Sequence, residues 1–213
     1  MPIEITYTMD LGGEEGVLSY PLTLDSKTLN LIQKAPHDTP PEWTRLECGQ
    51  CSNCPLKPTE VSHCPIAVNL SGLAEFFKGE LSTRRVKAEV KTEERTYSKE
   101  TDLQDVLFSI FGAIMATSGC PVMDFLKPMA RFHLPFATIE EHLTRSTSFY
   151  LLKQYFKHKR GENPDLDLKK LNEHYQEVRT VNSDFFKRIA QVAVKDADKN
   201  AMVILDAISQ LLS

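Results

Sequence analysis

Cys48-Gly-Gln-Cys51-Ser-Asn-Cys54-Pro-Leu-Lys-Pro-Thr-Glu-Val-Ser-His63-Cys64-Pro65 holds four of the chain's five cysteines within eighteen residues. The first three follow a C-x2-C-x2-C spacing and the fourth comes after nine more residues. A thiolate site needs its sulfurs to converge at about 2.3 Å from one ion. Two-residue gaps let the chain turn so that successive cysteines face the same way. Gly49 relaxes one such turn, and Pro55 and Pro65 stiffen the exits. The expected ligands are Cys48, Cys51, Cys54 and Cys64, closing a tetrahedral structural zinc site. His63 and Cys120 are the alternates.

An iron–sulfur cluster is the competing cofactor. C-x2-C-x2-C followed at a distance by Cys-Pro is nearer to a ferredoxin ligand run than to a zinc finger with two separated pairs. A lone cluster would need a redox partner, because no flavin or nicotinamide fingerprint accompanies it. Disulfides are disfavoured, since cysteines two residues apart pair only with strain. The cysteine count is odd and no cationic start leads into an apolar run. Both features predict a reducing cytoplasm, where thiolates persist.

Upstream of the knuckle, Ile3, Ile5, Tyr7 and Met9 alternate with polar residues, the period of a half-buried strand. Val17–Leu24 reads as a second strand, pushed to a sheet edge by Pro21, and 28–32 as a third. Trp43, the single tryptophan, is expected to pack beside the knuckle.

Downstream, 66–78 carries the apolar face of a helix and 84–92 alternates as a strand, followed by a polar stretch, 93–100. Thr101-Asp-Leu-Gln104 has the form of a capping box. The helix it opens, to about Ser118, is apolar on all sides and so is predicted to be buried. Gly112 and Ala113 in it suggest close approach of another element, and Gly119 a stop. Thr138-Ile-Glu-Glu141 is a second capping box, opening a helix to about His158 with Ile139, Leu143, Tyr150 and Leu152 facing inward. From Leu168 to Val192 the apolar residues recur in steps of three and four, with Asn182 the one polar position. A further apolar pattern over 201–212 completes an expected helical hairpin. A buried Asn can fix pairing register, so a homodimer through these helices is the alternative to a monomer.

The fold predicted is α+β: a small N-terminal antiparallel sheet, a Cys-rich knuckle at 48–65, and a mostly helical remainder. A β-rich region 1–95 and a helical region 96–213 would share one compact unit. With 41% hydrophobic and 25% charged residues and a net charge of −4, the composition is globular and shows no nucleic-acid footprint. The longest apolar run, 106–116, is interrupted by Ser109 and Gly112 and is too short to span a bilayer.

Two further residues are candidates for chemistry. Cys120 precedes a helix start, which lowers a thiol's pKa. With His133 it would make a nucleophile–base pair; the alternative is a small buried cysteine at a tight corner. A di-iron carboxylate bundle is disfavoured, because Glu140, Glu141, His142, Glu173, His174 and Glu177 contain no Glu-x-x-His.

Met115-Ala-Thr-Ser-Gly-Cys-Pro121, Pro128-Met-Ala-Arg-Phe-His-Leu-Pro-Phe136, Cys51-Ser-Asn-Cys-Pro55 and His63-Cys-Pro65 together resemble a small bacterial family of uncharacterised domains. The resemblance covers most of the chain. It implies a bacterial cytoplasmic protein and draws attention to Cys120 and His133, but transfers no activity. The function expected is a metal-stabilised, non-enzymatic interaction or regulatory protein. The alternatives are an iron–sulfur redox protein and a thiol enzyme using Cys120 with His133.

Overall fold

Alternation over Ile3–Asp10 (β1) puts Ile3, Ile5, Tyr7 and Met9 on one face. All four are buried in the computed structural model, which describes residues 1–12, 16–32, 39–77 and 83–195. β2 (Val17–Leu24) pairs antiparallel with β1, setting Ile5 opposite Leu22 and Tyr7 opposite Tyr20. β3 (Arg85–Lys91) pairs with the other side of β1, bringing Val90 opposite Tyr7 and Ala88 opposite Met9. β4 (Thr96–Asp102) closes the sheet, in the order β2-β1-β3-β4. Pro21 lies on an edge strand, where its missing N–H removes no ladder bond.

Among the described residues the helices are α1 (Pro65–Phe76), α2 (Leu103–Thr117), α3 (Lys127–Arg131), α4 (Ile139–Lys159) and α5 (Lys169–Lys195). The α+β class with an N-terminal antiparallel sheet is therefore observed. α2 is the centre of the core. Leu103, Val106, Ile110, Phe111 and Ile114 are fully buried and join the inner face of the sheet in one apolar cluster. Each such side chain removed from water stabilises the fold by roughly 1.5–3 kcal/mol. Gly119, at φ +81, ends α2 in the left-handed conformation that glycine adopts without strain.

Several local expectations are corrected. The stretch 28–32 is not a strand. It turns through Leu29 at φ 58 and contributes a single bridge, Leu24 to Leu31. A strand appears instead within the polar stretch read as a connector. β4 is exposed along most of its length and is held by its ladder to β3, so no alternation marks it. Thr101 does not cap α2. It ends in β4, the N-cap is Asp102 without a side-chain bond, and the Thr101 hydroxyl donates to Asp105.

The second capping box forms as expected, Glu141 N–H donating to Thr138 Oγ1 and Thr138 N–H to Glu141 Oε2. The inner face of α4 is different from the one expected. Tyr150 is buried, but Ile139, Leu143 and Leu152 are exposed, and Ser146 and Gln154 go inward in their place. The reason is polar: Tyr150 Oη donates to Asp165 at 2.8 Å, and Gln154 Oε1 accepts the Asp165 N–H at 3.0 Å. Gly112 is exposed and a Cβ there would meet nothing within 4 Å, so among the described residues no element packs closely against it. The expected C-terminal helix over 198–213, and with it the hairpin, lies outside the described residues.

Candidate functional site

The Cys loop is built from short turns. Cys54 N–H donates to Cys51 O (3.0 Å), Cys64 N–H to Thr44 O (2.8 Å) and Leu46 N–H to Ser62 O (2.9 Å). These bonds fold the loop back so that its cysteines approach the corner after α2. Cys64 and Cys120 are buried, Cys51 and Cys54 are half-buried against the same core, and Cys48 is exposed. His63 is half-buried, with its Nδ1 bonded to Ser62 Oγ at 2.9 Å.

Electrostatics identify which sulfurs are neighbours. The Cys51 thiol is pushed up to about 12, chiefly by burial, then by the Cys64 charge, with smaller contributions from Cys54 and Cys120. The Arg188 guanidinium acts the other way. Burial also raises Cys120, as do Cys64 and Cys54, while the amides of Met123 and Val122 donate to its sulfur and lower it. Four thiols thus share one neighbourhood: Cys51, Cys54, Cys64 and Cys120. The charge of Cys48 acts instead on Arg45. As the side chains stand, among the described residues no group of three or more His, Cys, Asp and Glu converges closely enough to hold a metal ion.

Arg188 of α5 organises the loop around these thiols. It is 2% exposed. Its Nε donates to Gly49 O at 3.0 Å, and Nη2 to Gly49 O at 2.9 Å and Leu46 O at 3.1 Å. Nη1 donates to Arg45 O at 3.1 Å and lies 3.5 Å from the carbonyls of Trp43 and Thr44. Gly49 permits this approach: its φ is +87, and a Cβ there would sit 3.3 Å from Arg188 Cβ. One turn earlier, Asp184 accepts from Ser52 N–H (2.9 Å) and Ser52 Oγ (2.8 Å), and Asn53 Nδ2 donates to Glu177 O at 3.0 Å. Trp43 is partly buried against the core beside this loop, as expected.

Sequence reading missed Arg188. Its one signal is its place next to the seam of α5, between Phe185 and Ile189, where an arginine needs buried partners.

His133 has a separate setting. It is bonded through Nε2 to Tyr7 Oη, and Ser109 Oγ lies 3.1 Å from Tyr7 Oη. Burial, and then the Arg145 charge, pull His133 down to about 4, so the ring is neutral at pH 7. Burial raises Tyr7 well above the usual phenol range, so it keeps its proton. A neutral ring that accepts from Tyr7 at Nε2 carries its own proton on Nδ1. Cys120 has Cys64 and Cys54 as charged neighbours, whereas His133 faces the Arg145 charge and is hydrogen-bonded to Tyr7. Burial raises the Cys120 pKa, opposite to the lowering expected from a helix start.

Beside His133 a cavity of about 370 Å³ opens between α2, α3, the start of α4 and α5. Met123, whose amide serves Cys120, lies in its wall, so the cavity adjoins the thiol cluster. Gly112, His142, Arg145, Tyr175, Arg179 and Asn182 also line it. His142 Nε2 and Tyr175 Oη are 3.1 Å apart. Arg145 donates to the carbonyls of Met129 (3.1 Å) and Phe132.

Among the described residues no helix is long and apolar enough to cross a membrane. No curated protein and no solved structure matches the chain. A family model described as "Domain of unknown function (DUF6901)" matches residues 5–213, nearly the whole chain, and the protein therefore belongs to that family of uncharacterised proteins.

Proposed function

We propose that Cys51, Cys54, Cys64 and Cys120 bind one structural zinc ion, and that the protein is a metal-stabilised, non-enzymatic binding module. The observation that carries this reading is the buried Arg188 guanidinium, whose charge acts on Cys51 in the group of four thiols. Its hydrogen bonds all go to backbone carbonyls, and among the described residues it has no carboxylate partner. A buried cation without a counter-charge is costly. Four thiolates around a divalent ion carry a net charge of −2, which offsets it. Donation from the Val122 and Met123 amides to the Cys120 sulfur also favours thiolate over thiol.

Metal binding would release the thiol protons and draw the sulfurs inward to about 2.3 Å from the ion. Four thiolates fill a tetrahedral shell and leave no position for water, so the zinc would tie elements together and not activate a substrate. It would join the Cys loop to the start of α1 and to the corner after α2.

Metal analysis of the purified protein and of Cys48→Ser, Cys64→Ser and Cys120→Ser tests this. One zinc per chain is expected in the parent and in Cys48→Ser, with loss in the other two. Retention in Cys120→Ser together with loss in Cys48→Ser would overturn the ligand set. Iron with acid-labile sulfide, and a brown protein, would replace zinc with a cluster on the same cysteines.

A further inference from the structure

The side of α4 turned away from the core is apolar over its second half. Tyr150 and Gln154, four residues apart, are buried and hydrogen-bonded to Asp165, which fixes the rotation of the helix. A residue two places beyond either lies about 200° further round the axis, on the opposite side. Leu152 and Phe156 hold those places and are each 52% exposed; Leu151 and Tyr155 beside them are 38% and 53% exposed. The Tyr155 and Phe156 rings meet edge to face at 5.5 Å. Phe149, three residues before Leu152, carries Phe132 stacked on it at 5.5 Å, and Phe132 is 59% exposed. Residues three and four apart are neighbours on a helix surface, so these side chains follow one another along one side. An exposed apolar patch of this kind marks an interaction surface.

Its surroundings are cationic. From His142 to Gly161 the chain holds Arg145, Lys153, Lys157, Lys159 and Arg160 and no Asp or Glu, although the whole chain carries a net charge of −4. Among the described residues Lys153, Lys157 and Lys159 have no ion-pair partner. The acids of the turn that follows are already engaged: Glu162 with Arg160 at 2.6 Å, Asp165 with Tyr150 at 2.8 Å and Asp167 with Lys169 at 3.5 Å. A second copy docked through the same face would set lysines against lysines with no acid between them, which disfavours self-association. An outward ridge of one helix fits a bilayer surface without a complementary groove.

We infer that the outer face of α4 lies on an anionic lipid bilayer. Leu151, Leu152, Tyr155 and Phe156 enter the boundary between headgroups and acyl chains, and the lysines keep their ammonium groups among the anionic headgroups. The helix rests in the surface and does not cross it. No cysteine lies on α4, so this holds whether or not the thiols bind metal.

Co-sedimentation of the full chain with vesicles tests this, comparing equal parts phosphatidylglycerol and phosphatidylcholine with phosphatidylcholine alone. The anionic vesicles should bind at least about tenfold more tightly, and raising salt from about 0.05 to 0.5 M should remove most of that preference. Lys153→Gln, Lys157→Gln and Lys159→Gln should each weaken binding about fivefold, the effect of one charge near such a surface. Leu152→Ser with Phe156→Ser should abolish binding with little change in urea midpoint, because both side chains already meet solvent. Val17→Ser, which removes an exposed apolar residue from β2, should bind like the parent. No binding to the anionic vesicles, equal binding to both vesicle types, or undiminished binding by the double variant overturns the proposal. So does a dimer of the parent that the double variant abolishes, which would give the face to a second copy. Binding of soluble polyglutamate as tight as that of the anionic vesicles would give it to an acidic protein and overturn the proposal as well.

Discussion

Arg188 and Asn182 sit within two turns of each other on α5, and both are buried. Arg188 spends its donors on the carbonyls of the Cys loop, whereas the Asn182 amide carbonyl has no partner. A saturated buried group fixes a loop; an unsaturated one lines a cavity that still has room. The same helix therefore does two jobs, clamping the thiol cluster near its end and presenting polar groups to the cavity one stretch earlier.

The sharpest way to break this contrast is to remove each group in turn. Arg188→Met should destabilise by about 4 kcal/mol, because carbonyls buried around the guanidinium lose their donors. Asn182→Leu should cost under about 1 kcal/mol, since it also removes an unsatisfied acceptor. Urea unfolding of both variants measures this, and similar losses would mean that the two sites are not different in kind.

The cavity end should also respond to acid through His133. Its pKa falls from 6.5 in the unfolded chain to about 4 in the fold. The unfolded state then binds the proton first, so stability is whole above pH 6.5 and declines as pH falls toward 4. The loss is about 3 kcal/mol across that window. Comparison of the parent with His133→Asn isolates this term, and parallel pH profiles would refute it.

At the clamp end, Asp184 is held down to about 2, by Lys187 first and then by the amide and hydroxyl of Ser52. Its contribution is present above pH 3.8 and is lost as pH falls toward 2. Asp184→Asn should cost about 1.5 kcal/mol at pH 7, discounted for its proximity to solvent. At the cavity wall, Thr138→Ala removes a formed capping box and should cost about 1 kcal/mol, seen as a small drop in urea midpoint.

Much of the local structure could be read from residue pattern. The alternation of β1 and β3, the capping box at Thr138 and the uniformly apolar α2 each reflect a local rule and are observed. What failed were segments stabilised by distant partners. β4 has no apolar alternation, because pairing with β3 holds it. The inner face of α4 is polar, because Asp165 supplies partners for Tyr150 and Gln154. The cavity was illegible as well, since it is a space left between four segments. Its traces in the sequence were Asn182, read as a register-setting residue, His133, read as a base, and Gly112 with Ala113, read as a site of close approach.

The sequence by itself determined that cysteines crowd one short loop and that a strand pair and long amphipathic helices surround it, because spacing and periodicity are properties of the chain alone. Only the tertiary structure decided which thiols are neighbours. Cys120 lies 56 residues beyond Cys64 in the chain and yet shares its electrostatic surroundings, while Cys48, three residues from Cys51, points to solvent. Through-space proximity depends on how α2 ends and where Arg188 pins the loop, and neither is written in the spacing of the cysteines.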